Sequence, residues 1–284
     1  MRKIKPLNEL TISNNFMFGA VMSDEEICRE FLEMTLGFPI EKVTVSKEKS
    51  IIYHPEYKGI RLDIIAKDKK HTHYNVEMQV SRKPALGKRG RYYHSQIDME
   101  LLLSGADYAI LPDTYVIFVC DFDPFNKGKY RYTFCNTCKE DDTVSLEDGS
   151  CTIFLSTCGK NAGEVPESLV KFLKYAGAKP AESTADFEDG FVRKLQASVR
   201  SVKESREMEA RYMLLEELLK DERAEGKAEG KAEAVLTLLE ELGEIPEPLR
   251  EEILEEKRPD VLQSYLKKVF VSKSVGEFME NMHK

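Results

Sequence analysis

Asp63 and the run Glu77-Met78-Gln79 are the residues of this 284-residue chain whose types and spacing can do chemistry. Two carboxylates brought together can hold a hard divalent cation, which lowers the pKa of a bound water and screens the charge that develops on a phosphodiester under attack. On a strand, position 79 shares a face with position 77. Gln79 can therefore hydrogen-bond the attacking water or a phosphate oxygen. The Met78 side chain points the other way, into a core, while its backbone carbonyl is placed to be another oxygen ligand.

A hairpin is what must bring position 63 to position 77. Across Ile60–Ala66 and Tyr74–Val80 the even positions Ile60, Leu62, Ile64, Ala66, Tyr74, Val76, Met78 and Val80 are all apolar or aromatic. The odd positions hold Arg61, Asp63, Ile65, His73, Asn75, Glu77 and Gln79. This period of two predicts paired strands with one core face and one mostly polar face. Asp68 to Thr72 is turn-like, and a loop centred on Lys70 pairs 63 with 77 and 61 with 79. Directly opposed like charges destabilise a sheet, and a bound cation is the simplest compensation. The competing reading is an ordinary solvated face on which Arg61 and Gln79 partly neutralise the pair. A one-residue shift of register would remove the opposition altogether.

Charge is unevenly distributed. The net charge is -8, yet residues 201–257 alone carry nine Lys and Arg against 18 Asp and Glu, so the rest of the chain is close to neutral. Within that remainder, SRKPALGKRGR at residues 81–91 carries Arg82, Lys83, Lys88, Arg89 and Arg91 with no acid. Read alone it is a solvated basic loop. Beside an acidic metal-holding pair it becomes a segment in which Arg82, Lys88, Arg89 and Arg91 can approach a phosphate backbone.

The flanking pattern supplies a scaffold. NNFMFGAVMSDEEICREFLEMTLGF reads as one or two helices, the second capped near Ser23. KVTVSKEKSIIYH reads as the first strand, and HPEYKG as the turn into the hairpin. YYHSQIDMELLLSGADYAIL carries a helical pattern ending near Gly105. TYVIFVCDF reads as a buried strand, KYRYTFCNT and CTIFLST as further strands, and ESLVKFLKYAGA as an amphipathic helix. This order predicts an α/β or α+β core with helices beside a central sheet.

Beyond about residue 185 the chain is helix-rich and acidic, and RAEG, KAEG and KAEA repeat every four residues. The glycines of the first two units weaken a helix by roughly 1 kcal/mol each relative to alanine, so the repeat reads as a semi-flexible spacer. The expected organisation is a core over 1–184, an acidic helical arm over 185–242, and a small helical module over 243–284. The terminal helices are candidates for self-association.

The blocks NNFMFGAVM, HPEYKGIRLDIIAKD, YNVEMQ, KRGRYYHSQIDMELLLSGADY and LPDTYVIFVCDF resemble the recombination-promoting nucleases of the Rpn family, also called PD-(D/E)XK nuclease family transposases. The resemblance covers roughly residues 10–160, and the EGKA-type arm suits the family as well. It implies a restriction-endonuclease-like α/β core with a mixed central sheet flanked by helices, followed by a helical C-terminal extension. It further implies a Mg²⁺-dependent DNA endonuclease, with Mn²⁺ or Ca²⁺ as other candidate ions, acting in recombination, mobile-element or defence biology. By matching position, Asp63 and Glu77 become metal ligands and Gln79 stands where the motif has lysine. Glutamine is neither a cation nor a base near neutral pH, so water activation would rest more on the metal. Arg91, Tyr93 and Gln96 match the family's Arg and Tyr block and become phosphate contacts, or else a helix packing on the sheet with a polar fringe. A homodimer through the C-terminal helices would present two sites to two strands. The reading from a different class is a catalytically degenerate nuclease fold that binds DNA or regulates, with Gln79 as the mark of lost catalysis.

Other clusters are weaker. Cys135, Cys138, Cys151 and Cys158 supply four thiols, but the second pair is too widely spaced for a zinc knuckle, so buried free cysteines are expected. His54 and His94 flank the hairpin and the basic run without clear ligand spacing, and His71 and His73 fall at the hairpin turn. No apolar run approaches the ~18 to 20 residues of a membrane span, and MRKIKPLNEL lacks the apolar stretch of a signal peptide. With six cysteines and no secretion signal, a reducing cytoplasmic location is expected.

Overall fold

The alternation in residues 60–80 forms two neighbouring strands of a six-stranded sheet. The computed structural model describes residues 5–51 and 60–282, with backbone alone at 47–51 and 60–63. His54 and the turn HPEYKG lie outside the described residues. The sheet order is β1(Val43–Ile51), β2(Ile60–Asp68), β3(His73–Gln79), β4(Thr114–Cys120), β6(Ser150–Ser156), β5(Arg131–Cys135). The β1/β2, β2/β3 and β5/β6 pairs are antiparallel, while β3/β4 and β4/β6 are parallel. This is a mixed sheet with flanking helices, a restriction-endonuclease-like α/β fold followed by a helical C-terminal part.

Helices α1(Asn15–Met22) and α2(Glu25–Leu36) precede the sheet. Asp24, next to Ser23, caps α2 by accepting from the amides of Glu26 and Ile27 at 2.9 and 3.0 Å. Gly37, at φ 83°, ends it in the left-handed region that glycine enters without steric cost. α1 lies against β2 and β3, and α2 against β1. These helices cover the face that carries Ile64, Ala66, Tyr74, Val76 and Met78, all buried. Beyond them, Phe31 of α2 meets Phe172 of α4(Glu167–Ala176) edge-on at 5.2 Å. Phe172 in turn meets Phe191 of α5(Gly190–Glu204).

From Asn75 to Gln79 the odd face of β3 is not solvated, contrary to the simplest reading of its polarity. α3(Leu86–Leu101) crosses it as the connection from β3 to β4 and packs on Val116, Phe118, Cys120 and Phe154. Asn75, Glu77 and Gln79 are consequently 0%, 1% and 5% exposed. The basic segment is also partly helix: Lys88 and Arg89 lie in the first turn of α3, where a loop was expected, and Arg91 follows on the same helix. Two glycines obscure that start. One of them, Gly90, is a packing requirement, since a Cβ there would come within 3.1 Å of Thr152 Cγ2 and 3.4 Å of Phe118. The helix ends at Leu101, before the expected Gly105, because Leu102 is already extended.

The cysteine expectation is overturned by strand pairing. Cys135 of β5 lies directly across from Cys151 of β6, with Cα atoms 4.5 Å apart, and the two form a disulfide. Cys138 is half-buried and Cys158 exposed, so neither is a buried thiol.

The chain divides into two compact units, residues 1–208 and 209–284. α5, which the sequence reading assigned to the arm, packs on α1, α2 and α4 and belongs to the first unit. The four-residue repeat lies inside one continuous helix, α6(Arg206–Leu242), where a semi-flexible spacer was expected. Its Ala228 and Ala232 are buried with Val235 and Leu239, a 4-3-4 spacing that puts all four on one face. That face packs on α7(Glu247–Glu255), α8(Pro259–Val271) and α9(Val275–Met282) through Ile253, Leu262, Tyr265 and Phe278. The alanines of the repeat thus take part in the core of the second unit. Among the described residues no helix is long and apolar enough to cross a membrane.

Candidate functional site

The β2/β3 register pairs Ile64 with Val76, Ile65 with Asn75, Ala66 with Tyr74 and Lys67 with His73, each pair symmetric about Lys70. The pairing ends at Ile64 and Val76; continued by one residue, it would set position 63 across from position 77. The Asp63 side chain itself lies outside the described residues. Glu77 is described fully, and it is buried on the face that α3 covers.

A single guanidinium organises this face. Arg89, on the first turn of α3, donates Nη2 to Glu77 Oε2 at 2.5 Å and Nη1 to Gln79 Oε1 at 3.0 Å. Its Nε donates to the Tyr93 hydroxyl. That hydroxyl lies 3.5 Å from Glu77 Oε2. The guanidinium carbon sits over the rings of Tyr93 and Phe118, at 5.0 and 5.8 Å from their centroids. Arg and Tyr one helical turn apart face the same direction, so α3 presents both to β3. Gln79 Nε2 donates to the Met78 carbonyl at 3.0 Å, which fixes the amide with its oxygen toward Arg89.

Asn75 was passed over in the sequence beyond its place on the polar face. Its Nδ2 reaches Glu77 Oε1 at 3.5 Å, and its Oδ1 is buried with no hydrogen-bond partner among the described residues. An orphaned buried oxygen is costly unless something occupies it. The oxygens described on this strand are the Glu77 carboxylate, the Asn75 amide oxygen and the Met78 carbonyl. That is an all-oxygen set of the kind hard divalent cations take. Among the described residues alone, no three His, Cys, Asp or Glu side chains converge as a metal-holding group.

The remaining candidates are dispersed. Arg82 is exposed and ties the β3–α3 connection to another loop through the Asp123 carbonyl at 2.7 Å and Asn126 Oδ1 at 2.8 Å. Lys88 and Arg91 are exposed on α3. Gln96 is buried further along α3, with Nε2 toward Met99 Sδ, and is not brought to Glu77. His71 is an exposed loop residue, and His73 lines a cavity of about 310 Å³ with Lys67, Ile97 and Glu100.

His94 is structural. Its ring nitrogens meet Thr114 Oγ1 at 2.7 Å and Thr152 Oγ1 at 3.1 Å, joining α3 to β4 and β6. Burial lowers its pKa to about 4, against an unfolded value near 6.5. Above pH 6.5 both folded and unfolded chains carry it neutral. Between 6.5 and 4 only the unfolded chain takes up the proton, so stability is lost as pH falls through that window. Urea unfolding at pH 7 and pH 4.5 should show this loss, on the order of 2 kcal/mol from this residue. His94→Gln should flatten the slope, and an unchanged slope would refute the assignment.

The family model of the PD-(D/E)XK nuclease family transposases matches residues 14–229. The chain belongs to that family. No curated protein and no solved structure matched it. The PD-(D/E)XK match runs from the start of α1 into α6 and so includes Glu77, Gln79, Arg89 and Tyr93, while α7, α8 and α9 lie beyond it.

Proposed function

We propose that the chain is a metal-dependent DNA endonuclease that hydrolyses phosphodiester bonds and serves DNA recombination, mobile elements or defence. The observation that carries this reading is Glu77, a carboxylate buried on β3 beside the Asn75 amide oxygen, which has no hydrogen-bond partner among the described residues. Asp63, Glu77, the Met78 carbonyl and Asn75 Oδ1 would hold Mg²⁺, with Mn²⁺ or Ca²⁺ as alternatives. When bound, the ion supplies an acidified water and a screen for phosphate charge. Gln79 orients water or phosphate by hydrogen bonding and moves no proton. Arg82, Lys88 and Arg91 meet the DNA backbone, while Tyr93 orients Glu77 and Arg89 from α3. The C-terminal helices join two copies, so that two sites face two strands, and the enzyme works in the cytoplasm.

Asp63→Ala should abolish Mg²⁺-dependent nicking of plasmid DNA while leaving the circular dichroism spectrum and unfolding midpoint close to wild type. Unchanged cleavage by the purified variant would sink the assignment.

One observation favours a second reading. The charge of Glu77 is already answered by Arg89, and Gln79 bonds its own strand, an arrangement that also suits a nuclease fold retained for DNA binding or regulation. Calorimetric titration separates the two, since the enzyme reading requires a Mn²⁺ site that disappears in Glu77→Ala.

A further inference from the structure

We propose that Arg89 is an internal counter-ion that closes the metal seat in the metal-free protein and turns to a substrate phosphate when a divalent cation takes Glu77. The proposal rests on the metal-dependent reading above and assigns it a gate.

Three observations lead to it. The guanidinium binds the carboxylate of Glu77 and the amide oxygen of Gln79 at once, so it occupies the polar side chains the chemistry would use. Its own position is built, since Nε is taken by the Tyr93 hydroxyl and the plane rests over Tyr93 and Phe118. Finally, the two partners differ in exposure. The Glu77 side chain is 1% exposed and that of Arg89 is 29% exposed, so the arginine has a way to water and the carboxylate does not.

A guanidinium and a dication beside the same carboxylate oxygen repel with twice the energy of two monovalent cations at that distance. The two therefore exclude each other from Glu77 Oε2, and Arg89 is the group free to leave. A planar fork that releases a carboxylate can take a phosphate in the same bidentate geometry. The exchange consequently links metal entry to substrate capture. It also leaves the buried carboxylate paired in both states.

Such a gate lowers apparent metal affinity. A seat open about a tenth of the time binds about tenfold more weakly than the same seat left open. The test is Mn²⁺ calorimetry on the full chain without DNA, for wild type, Glu77→Gln, Arg89→Ala and Arg89→Lys. Binding should vanish in Glu77→Gln and tighten about tenfold in Arg89→Ala, with Arg89→Lys between wild type and alanine. Removing a fixed positive charge also tightens a cation site, so the gate is distinguished by movement of Arg89 itself, read on the wild type.

Should Arg89→Ala fail to fold, Arg89→Lys and a measurement on the wild type decide. In ¹⁵N-arginine NMR the Arg89 Nε–H should be protected from exchange without metal and exposed at saturating Mg²⁺. Unchanged or weakened Mn²⁺ binding in the Arg89 variants, or an unmoved Arg89 signal, overturns the gate while Glu77→Gln still reports the seat. No Mn²⁺ binding in any of the four proteins overturns the seat and the gate together.

Discussion

Glu77→Gln is expected to lower Mg²⁺-dependent DNA cleavage by about 10³-fold or more, because a bound cation supplies several kcal/mol of transition-state stabilisation. The substitution keeps the size of the side chain and an oxygen within reach of Arg89, and removes the charge that would hold the ion. Arg89 retains Gln79 and Tyr93 as partners and is partly open to solvent. The stability cost should therefore be only about 1–3 kcal/mol, the range for a lost hydrogen bond to a charged group. Plasmid nicking against Mg²⁺ concentration, alongside thermal unfolding, measures both quantities. Cleavage at the wild-type rate would remove Glu77 from the chemistry.

Phe118→Ala should have the largest effect on folding. Phe118 is fully buried, stacks on Phe154 at 5.1 Å and on Tyr93 at 6.2 Å, and lies under the Arg89 guanidinium. Truncating a buried phenylalanine costs about 3–5 kcal/mol through lost transfer energy and the cavity left behind. Here the cavity opens directly beneath the turn of α3 that holds Arg89 and Tyr93, so the ion pair with Glu77 should loosen as well. Urea denaturation gives the first effect, and exchange protection of the Arg89 Nε–H gives the second. A loss under about 1 kcal/mol would show that α3 does not rest on this ring.

The two predictions concern elements of unequal legibility. The β2/β3 register could be read from residues 60–80 alone, since a period of two and one polar turn leave only one pairing symmetric about Lys70. The order of helices and strands around it follows equally from local patterns. The covering of the polar face does not, because nothing within β3 says which later segment will cross it. α3 was obscured by its own first turns, where Gly87, Gly90 and a cluster of cations look like loop. Only the closeness of Thr152 and Phe118 explains why residue 90 lacks a side chain. The Arg89–Glu77 pair spans 12 residues and two elements, and the Cys135–Cys151 bond requires knowing that β5 and β6 are neighbours. Asn75 carried a signal that was visible but unused, an amide two residues before Glu77 and on the same face of the strand.

The repeat in α6 carries a mechanical consequence. An added or deleted unit of four residues advances an α-helix by about 400°, so the residues after it turn by ~40° about the axis and move ~6 Å along it. The alanines that enter the terminal core, Ala228 and Ala232, recur with the same spacing as the unit itself. A duplication of KAEG upstream of them would hand the core an identical alanine face, and the helix could lengthen in quanta without recutting its own packing. The length of α6 ahead of Ala228 is thereby uncoupled from the packing of the terminal core.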